Sequence, residues 1–188
     1  MPGHPTLRAV PVYVSLLRAV NVGGRNRLPM AGLRDCYADL GHGGVVTYLQ
    51  SGNVVSQGPD RSAAALASKV TAALRDTFGI DVAVLVRTAA ELDRLVAAMP
   101  FAPADPDDKS LHVTFLPGRA PASAVAELEA DRFLPDRARV RGREVYLQVP
   151  GGYGRTRLTN AYVERLVGAH ATTRNWRTVT ELCRLGGT

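Results

Sequence analysis

The 188-residue sequence has little cysteine, little aromatic content and almost no lysine. Its two cysteines, Cys36 and Cys183, are far apart, and neither sits in a C-x-x-C spacing. That argues against a disulfide framework or a zinc site and fits a reducing cytoplasm. No apolar run approaches the roughly 20 residues a membrane span needs, so no membrane partner is expected. The first ten residues carry Pro2, His4, Pro5 and Arg8 and lack the apolar stretch of a signal peptide. The four histidines, His4, His42, His112 and His170, are scattered and match no metal signature. Asp105, Asp107 and Asp108 lack the glycine and terminal glutamate of a calcium loop. There is no paired-carboxylate motif and no G-x-S-x-G elbow around Ser51. No cofactor, no metal and no catalytic residue is therefore assigned. An enzyme is not excluded, because acid and base can come from distant segments.

What is present is ordinary globular composition, 46% hydrophobic and 21% charged, in a chain long enough to fold without a staple. The net charge of +6 is uneven. Residues 1–57 carry five Arg against two acids, residues 58–131 seven basic against eleven acidic groups, and residues 132–188 eleven Arg against four acids. Basic ends favour polyanionic partners. The preference for Arg, with Lys only at 69 and 109, also matches the habit of a GC-rich genome that is rich in Ala, Gly and Val.

Hydrophobic periodicity predicts strands over residues 12–20, 45–50, 54–57 and 81–87, with helices over 30–40 and 61–78. Pro29 suits a helix start, and Ser51, Gly52 and Asn53 form a hairpin turn. A connecting helix over 89–99 and an acidic, proline-rich stretch over 100–108 follow. The second half repeats the order of elements. Strands are expected over 110–116, 136–140, 144–149 and, least clearly, 168–173. Helices are expected over 121–130, 158–167 and 175–185. The expectation is an α+β fold of two ferredoxin-like β-α-β-β-α-β subdomains with antiparallel sheets, residues 1–87 and 109–188, joined by residues 88–108, with a C-terminal helix.

Two glycine-rich basic loops, each before a helix, are the leading site candidates. The first holds Arg18, Asn21, Gly23, Gly24, Arg25 and Arg27. Its glycines let backbone N–H groups approach a ligand, and its guanidinium groups suit phosphate or carboxylate. The spacing is neither that of a Walker loop nor G-x-G-x-x-G. The second loop runs from Gly151 through Tyr153, Arg155 and Arg157. Arg174 and Asn175 form a third cluster, beside Trp176, which is more simply read as a core anchor. Ser51 and Asn53 are included as turn residues near the first loop.

Three blocks carry a family resemblance. They are Leu16-Leu-Arg-Ala-Val-Asn-Val-Gly-Gly-Arg-Asn-Arg-Leu-Pro-Met30, Tyr48-Leu-Gln-Ser-Gly-Asn-Val54 and Thr172-Thr-Arg-Asn-Trp-Arg-Thr-Val179. With them the chain resembles the bacterial DUF1697 family, a domain of unknown function. Two departures are Ala19, where glycine is usual, and Arg25 and Arg27, where lysine is frequent. The resemblance implies paired ferredoxin-like subdomains and no assigned activity. On the residues, the expected function is binding of a phosphorylated small molecule, nucleotide or nucleic acid in a cleft between the two loops. The competing readings are an enzyme acting on a phosphorylated small molecule and a protein-interaction module.

Overall fold

The computed structural model describes residues 10–24, 26–101, 105 and 107–187. The first nine positions, Arg25, part of the proline-rich stretch at 100–108 and Thr188 lie outside these.

The first sheet is built from β1 (Val12–Leu17), β2 (Gly43–Tyr48), β3 (Asn53–Gln57) and β4 (Val84–Thr88), in the order β2-β3-β1-β4. Every pairing is antiparallel. β1 reads as a continuous apolar run because both of its faces are covered. Tyr13 and Leu17 point to α1 (Met30–Asp39) and α2 (Ala63–Phe78), while Val14 and Leu16 point to the second half of the chain. Leu66, Val70 and Leu74 form the buried stripe of α2 at helical spacing. Ser62 caps that helix by accepting from the Ala65 N–H at 3.1 Å, and Gly79 ends it in the left-handed region at φ 66°.

The helix α3 (Ala89–Ala97) follows β4 directly. Its start is fixed by a reciprocal capping box between Thr88 and Glu91.

The second sheet holds β5 (Leu111–Phe115), β6 (Arg137–Arg141), β7 (Glu144–Gln148) and β8 (Thr172–Asn175), in the order β6-β7-β5-β8, again antiparallel throughout. Its outer face is covered by α4 (Ala122–Leu128) and α5 (Asn160–Val167). The inner faces of both sheets share one apolar cluster with α3 and the last helix, α6 (Trp176–Gly186). Trp176 is buried in that cluster, as expected of a core anchor. The expected last strand is displaced. It begins at Thr172 and extends through Arg174 and Asn175. A stretch this polar carries no strand signal, because β8 sends an arginine rather than an aliphatic side chain into the seam between the sheets.

Polar pins hold that seam. Arg18 grips Glu164 through two parallel bonds of 2.6 and 2.8 Å. Arg87, buried, reaches Glu144 at 2.9 Å and the Leu116 carbonyl at 2.7 Å. Arg143 donates to Glu91 at 2.7 Å, and the Tyr146 hydroxyl donates to the Leu95 carbonyl at 2.9 Å.

The departure at position 19 has a backbone reason. Ala19 sits at φ 51°, a left-handed conformation that a Cβ disfavours. Ala19→Gly is expected to raise stability by roughly 0.5–1 kcal/mol. Urea denaturation checks this, and an unchanged or lower midpoint contradicts it.

Candidate functional site

The three sequence blocks meet at one point, and Arg174 joins them. From β8 its guanidinium donates to Asn53 Oδ1 at 2.5 Å, the Leu17 carbonyl at 2.8 Å and the Ser51 carbonyl at 3.2 Å. It also reaches Thr172 Oγ1 at 2.6 Å and the Thr173 carbonyl at 3.0 Å. Among the described residues no carboxylate pairs with it, and desolvation pushes its pKa down to about 10. A planar fork of five donors suits this ring of carbonyl and amide acceptors. Asn53 is wholly buried and spends its amide on the Tyr48 carbonyl and Ser51 Oγ, so the 48–53 turn is rigid.

The first glycine loop is equally well tied. Asn21, at φ 54°, donates to the carbonyls of Leu28 at 3.0 Å and Gln50 at 2.8 Å, and accepts from the Leu28 N–H at 2.9 Å. Asn26 donates to the Ala19 carbonyl at 3.0 Å. Ala19, Asn21, Gly23, Gly24 and Asn26 all have positive φ. Gly23 and Gly24 face open space, and Arg27 is exposed without a partner among the described residues. Arg18 is engaged elsewhere. The Glu164 hydrogen bonds raise its pKa against the opposing effect of burial. Glu164 is held below the ordinary carboxylate range. Burial works against that, but bonds from Arg18 and the Ala171 N–H prevail. Arg25 lies outside the described residues.

The second loop packs on the other face of the second sheet. Successive strand residues point to opposite faces, so Arg174 and Thr173 diverge. Tyr153 donates to Thr173 Oγ1 at 3.1 Å and stacks on His112 at 4.7 Å. Arg157 lies over the Phe133 ring at 5.2 Å and donates to the Arg132 carbonyl. Arg155 is exposed and unpartnered among the described residues. Asn175 caps α6, accepting from the Thr178 N–H at 2.8 Å. Asn21, Ser51, Asn53 and Arg174 thus come together around the 48–53 turn, while the Arg18 side chain turns to Glu164. Among the described residues no hydrogen bond, ion pair or ring contact links the first loop to Arg155, Arg157 or Asn175.

A different part of the seam gathers cations that the sequence reading left unassigned. A groove of about 330 Å³ lies between α3 and the β6–β7 hairpin. It is lined by Arg94, Arg119, Arg141 and Arg143 together with Glu91 and Glu144. Both carboxylates are already occupied, Glu91 by Arg143 and Glu144 by the buried Arg87. Burial lowers the Arg87 pKa despite Glu144. The Glu91 carboxyl stays below its ordinary range, because the Thr88 N–H and Arg143 outweigh its desolvation. Five guanidinium groups against two carboxylates leave three positive charges. Arg94, Arg119 and Arg141 are exposed and have no partner among the described residues. The groove is hard to see in sequence, since its cations come from a helix, a loop and a hairpin. The one local signal is Arg141-Gly142-Arg143, a tight turn with Gly142 at φ 64°.

A second polar cluster is buried under the first sheet. His42 Nδ1 lies 3.0 Å from Ser56 Oγ, and His42 Nε2 lies 2.7 Å from Asp60 Oδ2. Asp60 Oδ1 pairs with Lys69 at 2.7 Å. Ser56 is wholly buried and His42 only 4% exposed, which closes the serine to any substrate. The imidazole lies where a Cβ on Gly58 would fall, 2.3 Å away, so only glycine fits there. Among the described residues no group of three or more His, Cys, Asp or Glu is placed to hold a metal ion, and no helix is long and apolar enough to cross a membrane.

Among the described residues, two four-stranded antiparallel sheets, six α-helices and an arginine-pinned seam make up a mixed α+β fold. The chain belongs to the family described as "Protein of unknown function (DUF1697)", which it matches over residues 10–146. Among solved structures it is similar to the conserved bacterial protein SP0830 from Streptococcus pneumoniae. The TM-score is 0.74 at 22% identity, covering 95% of this chain and 99% of that one. That likeness supports the fold. No curated protein matches the sequence significantly.

Proposed function

We propose that this protein binds a phosphorylated ligand and that the groove between α3 and the β6–β7 hairpin receives its phosphate. The observation that carries the reading is the surplus of cations. Arg94, Arg119 and Arg141 converge on one groove whose two carboxylates are committed to other arginines. Unpaired guanidinium groups in a confined hollow favour a dianion with several acceptor oxygens. The volume, about 330 Å³, is at the small end of ligand pockets and suits a phosphate or diphosphate group with part of its carrier exposed. Of the glycine loops, Arg27 and Arg155 are unpartnered among the described residues but do not line this groove, whereas Arg18, Arg157 and Arg174 already serve protein acceptors.

Each half is inferred to be a ferredoxin-like unit. The β-α-β-β-α-β order and the strand orders β2-β3-β1-β4 and β6-β7-β5-β8 support this, with residues 88–108 as the connection. Two free thiols, Cys36 and Cys183, favour a cytoplasmic location.

A thermal-shift series with pyrophosphate, nucleotides and phosphosugars at low salt tests the reading. A ligand at a hundredfold its Kd should raise Tm by roughly 5–10 °C in a chain of this size. Arg94→Ala with Arg141→Ala should abolish most of that rise, while Arg27→Ala with Arg155→Ala should leave it. The reverse result would move the site to the glycine loops, and no shift with any phosphorylated ligand would end the proposal.

A further inference from the structure

We infer that the ligand of the groove between α3 and the β6–β7 hairpin is a sugar phosphate, whose hydroxyl groups donate to Glu144 while its phosphate sits among the arginines. The inference rests on the groove being an anion site, and it adds the acceptor that stands beside the positive charge. Glu144 spends Oε1 on the buried Arg87 at 2.9 Å. Its second carboxylate oxygen, Oε2, has no hydrogen-bond partner among the described residues. That oxygen is not sealed in. The Glu144 side chain lines the groove and is 16% exposed. The neighbouring turn residue is Gly142, whose missing Cβ would lie 3.9 Å from Oε2, so no side chain at that position covers the oxygen.

The strand register places this acceptor next to a free cation. Arg141 and Glu144 are direct partners across the β6–β7 hairpin. Such partners share a face of the sheet with their Cβ atoms about 5 Å apart. Among the described residues no ion pair joins them, and Arg87 holds Glu144 instead. Arg94 and Arg119 complete the cationic side of the groove. A ligand with one anionic end and several hydroxyl donors close to it satisfies both sides at once. Its phosphate oxygens accept from the guanidinium groups, and its hydroxyls donate to the carboxylate. Ala98, half-buried at the end of α3, offers an apolar wall to the C–H face of a sugar ring. An unsubstituted diphosphate brings oxygens to Oε2 where hydroxyl donors are wanted, and meets it as like charge. A nucleotide fits less well. The aromatic residue that lines the groove is Tyr146, only 1% exposed, so it presents no ring face for a base.

Isothermal titration calorimetry with glucose 6-phosphate and cyclohexylmethyl phosphate tests the inference, because the second compound keeps the ring size and the phosphate but has no hydroxyl. Glucose 6-phosphate should bind about tenfold tighter, the effect expected of a hydrogen bond to a charged acceptor. In Glu144→Gln, Arg87 claims the amide oxygen and the amide nitrogen cannot accept. The preference should then fall to about threefold or less, with the affinity for cyclohexylmethyl phosphate unchanged within about twofold. Equal affinity of the native protein for the two esters overturns the inference, as does a preference that survives intact in Glu144→Gln. If that variant does not fold, the comparison of the two esters on the native protein decides. Pyrophosphate serves as the control for the anion site itself. Pyrophosphate binding with no discrimination between the esters removes the sugar phosphate and leaves the groove reading standing. Failure of all three probes to bind removes both.

Discussion

Replacing Arg174 with alanine is expected to destabilise the protein by about 3–5 kcal/mol, among the largest effects of any single side chain here. The expectation comes from what the substitution leaves behind. The Leu17 and Ser51 carbonyls and Asn53 Oδ1 belong to the first half of the chain, and all three lose their donor together. Asn53 has no solvent access through which to recover a partner. Arg174→Lys keeps the charge but replaces a planar fork with a single point, and should restore less than half of the loss. The damage should spread to the 48–53 turn and the first glycine loop, since Asn21 is tied to Gln50. Urea denaturation measures the loss, and amide exchange at residues 17–28 and 48–54 localises it. A cost under 1 kcal/mol, or exchange unchanged in both segments, contradicts the linking role.

The second large effect is expected at Asp60, with a pH signature. Asp60→Ala should cost about 3–4 kcal/mol near neutral pH, because His42 Nε2 and Lys69 lose the acceptor they share. Burial alone would raise the Asp60 pKa, but hydrogen bonds from Lys69 and His42 overcome it and hold the carboxyl below its ordinary value. A carboxyl depressed in the folded state contributes stability above the unfolded pKa of about 4, and that contribution fades as pH falls through the folded pKa. The stability difference between the native chain and Asp60→Asn should therefore be largest near neutrality and shrink below about pH 4. A difference that stays constant from pH 7 to pH 3 contradicts this account.

The sequence and the structure agree best where one physical signal dominates. The stripe Leu66, Val70 and Leu74 with Gly79 behind it marks α2 unambiguously, and the structure places that helix at Ala63–Phe78. Both hairpins and the order of elements in each half are legible for the same reason. β8 is less so, because pattern reading looks for apolar alternation and Thr172-Thr-Arg-Asn175 has none. Its strand character comes from pairing with β5 and from the acceptors that await Arg174 across the seam. The candidate site was legible in part. The two asparagines and the glycines of residues 18–28 do mark a special backbone, and five positive φ values in that stretch give the reason. What residue type alone does not reveal is which arginines are spoken for. Arg18 and Arg174 look like ligand residues until Glu164, Asn53 and the Leu17 carbonyl are seen beside them. Arg94 and Arg119 look like ordinary surface charges until the fold sets them next to Arg141.

Arginine side-chain NMR during a pyrophosphate titration tests the anion groove most directly, since each Nε–Hε signal reports its own guanidinium. The account predicts that saturable shifts appear first and largest at Arg94, Arg119 and Arg141, with Arg27 and Arg155 nearly still. Shifts confined to Arg27 and Arg155, or a titration that moves no arginine signal, would contradict it.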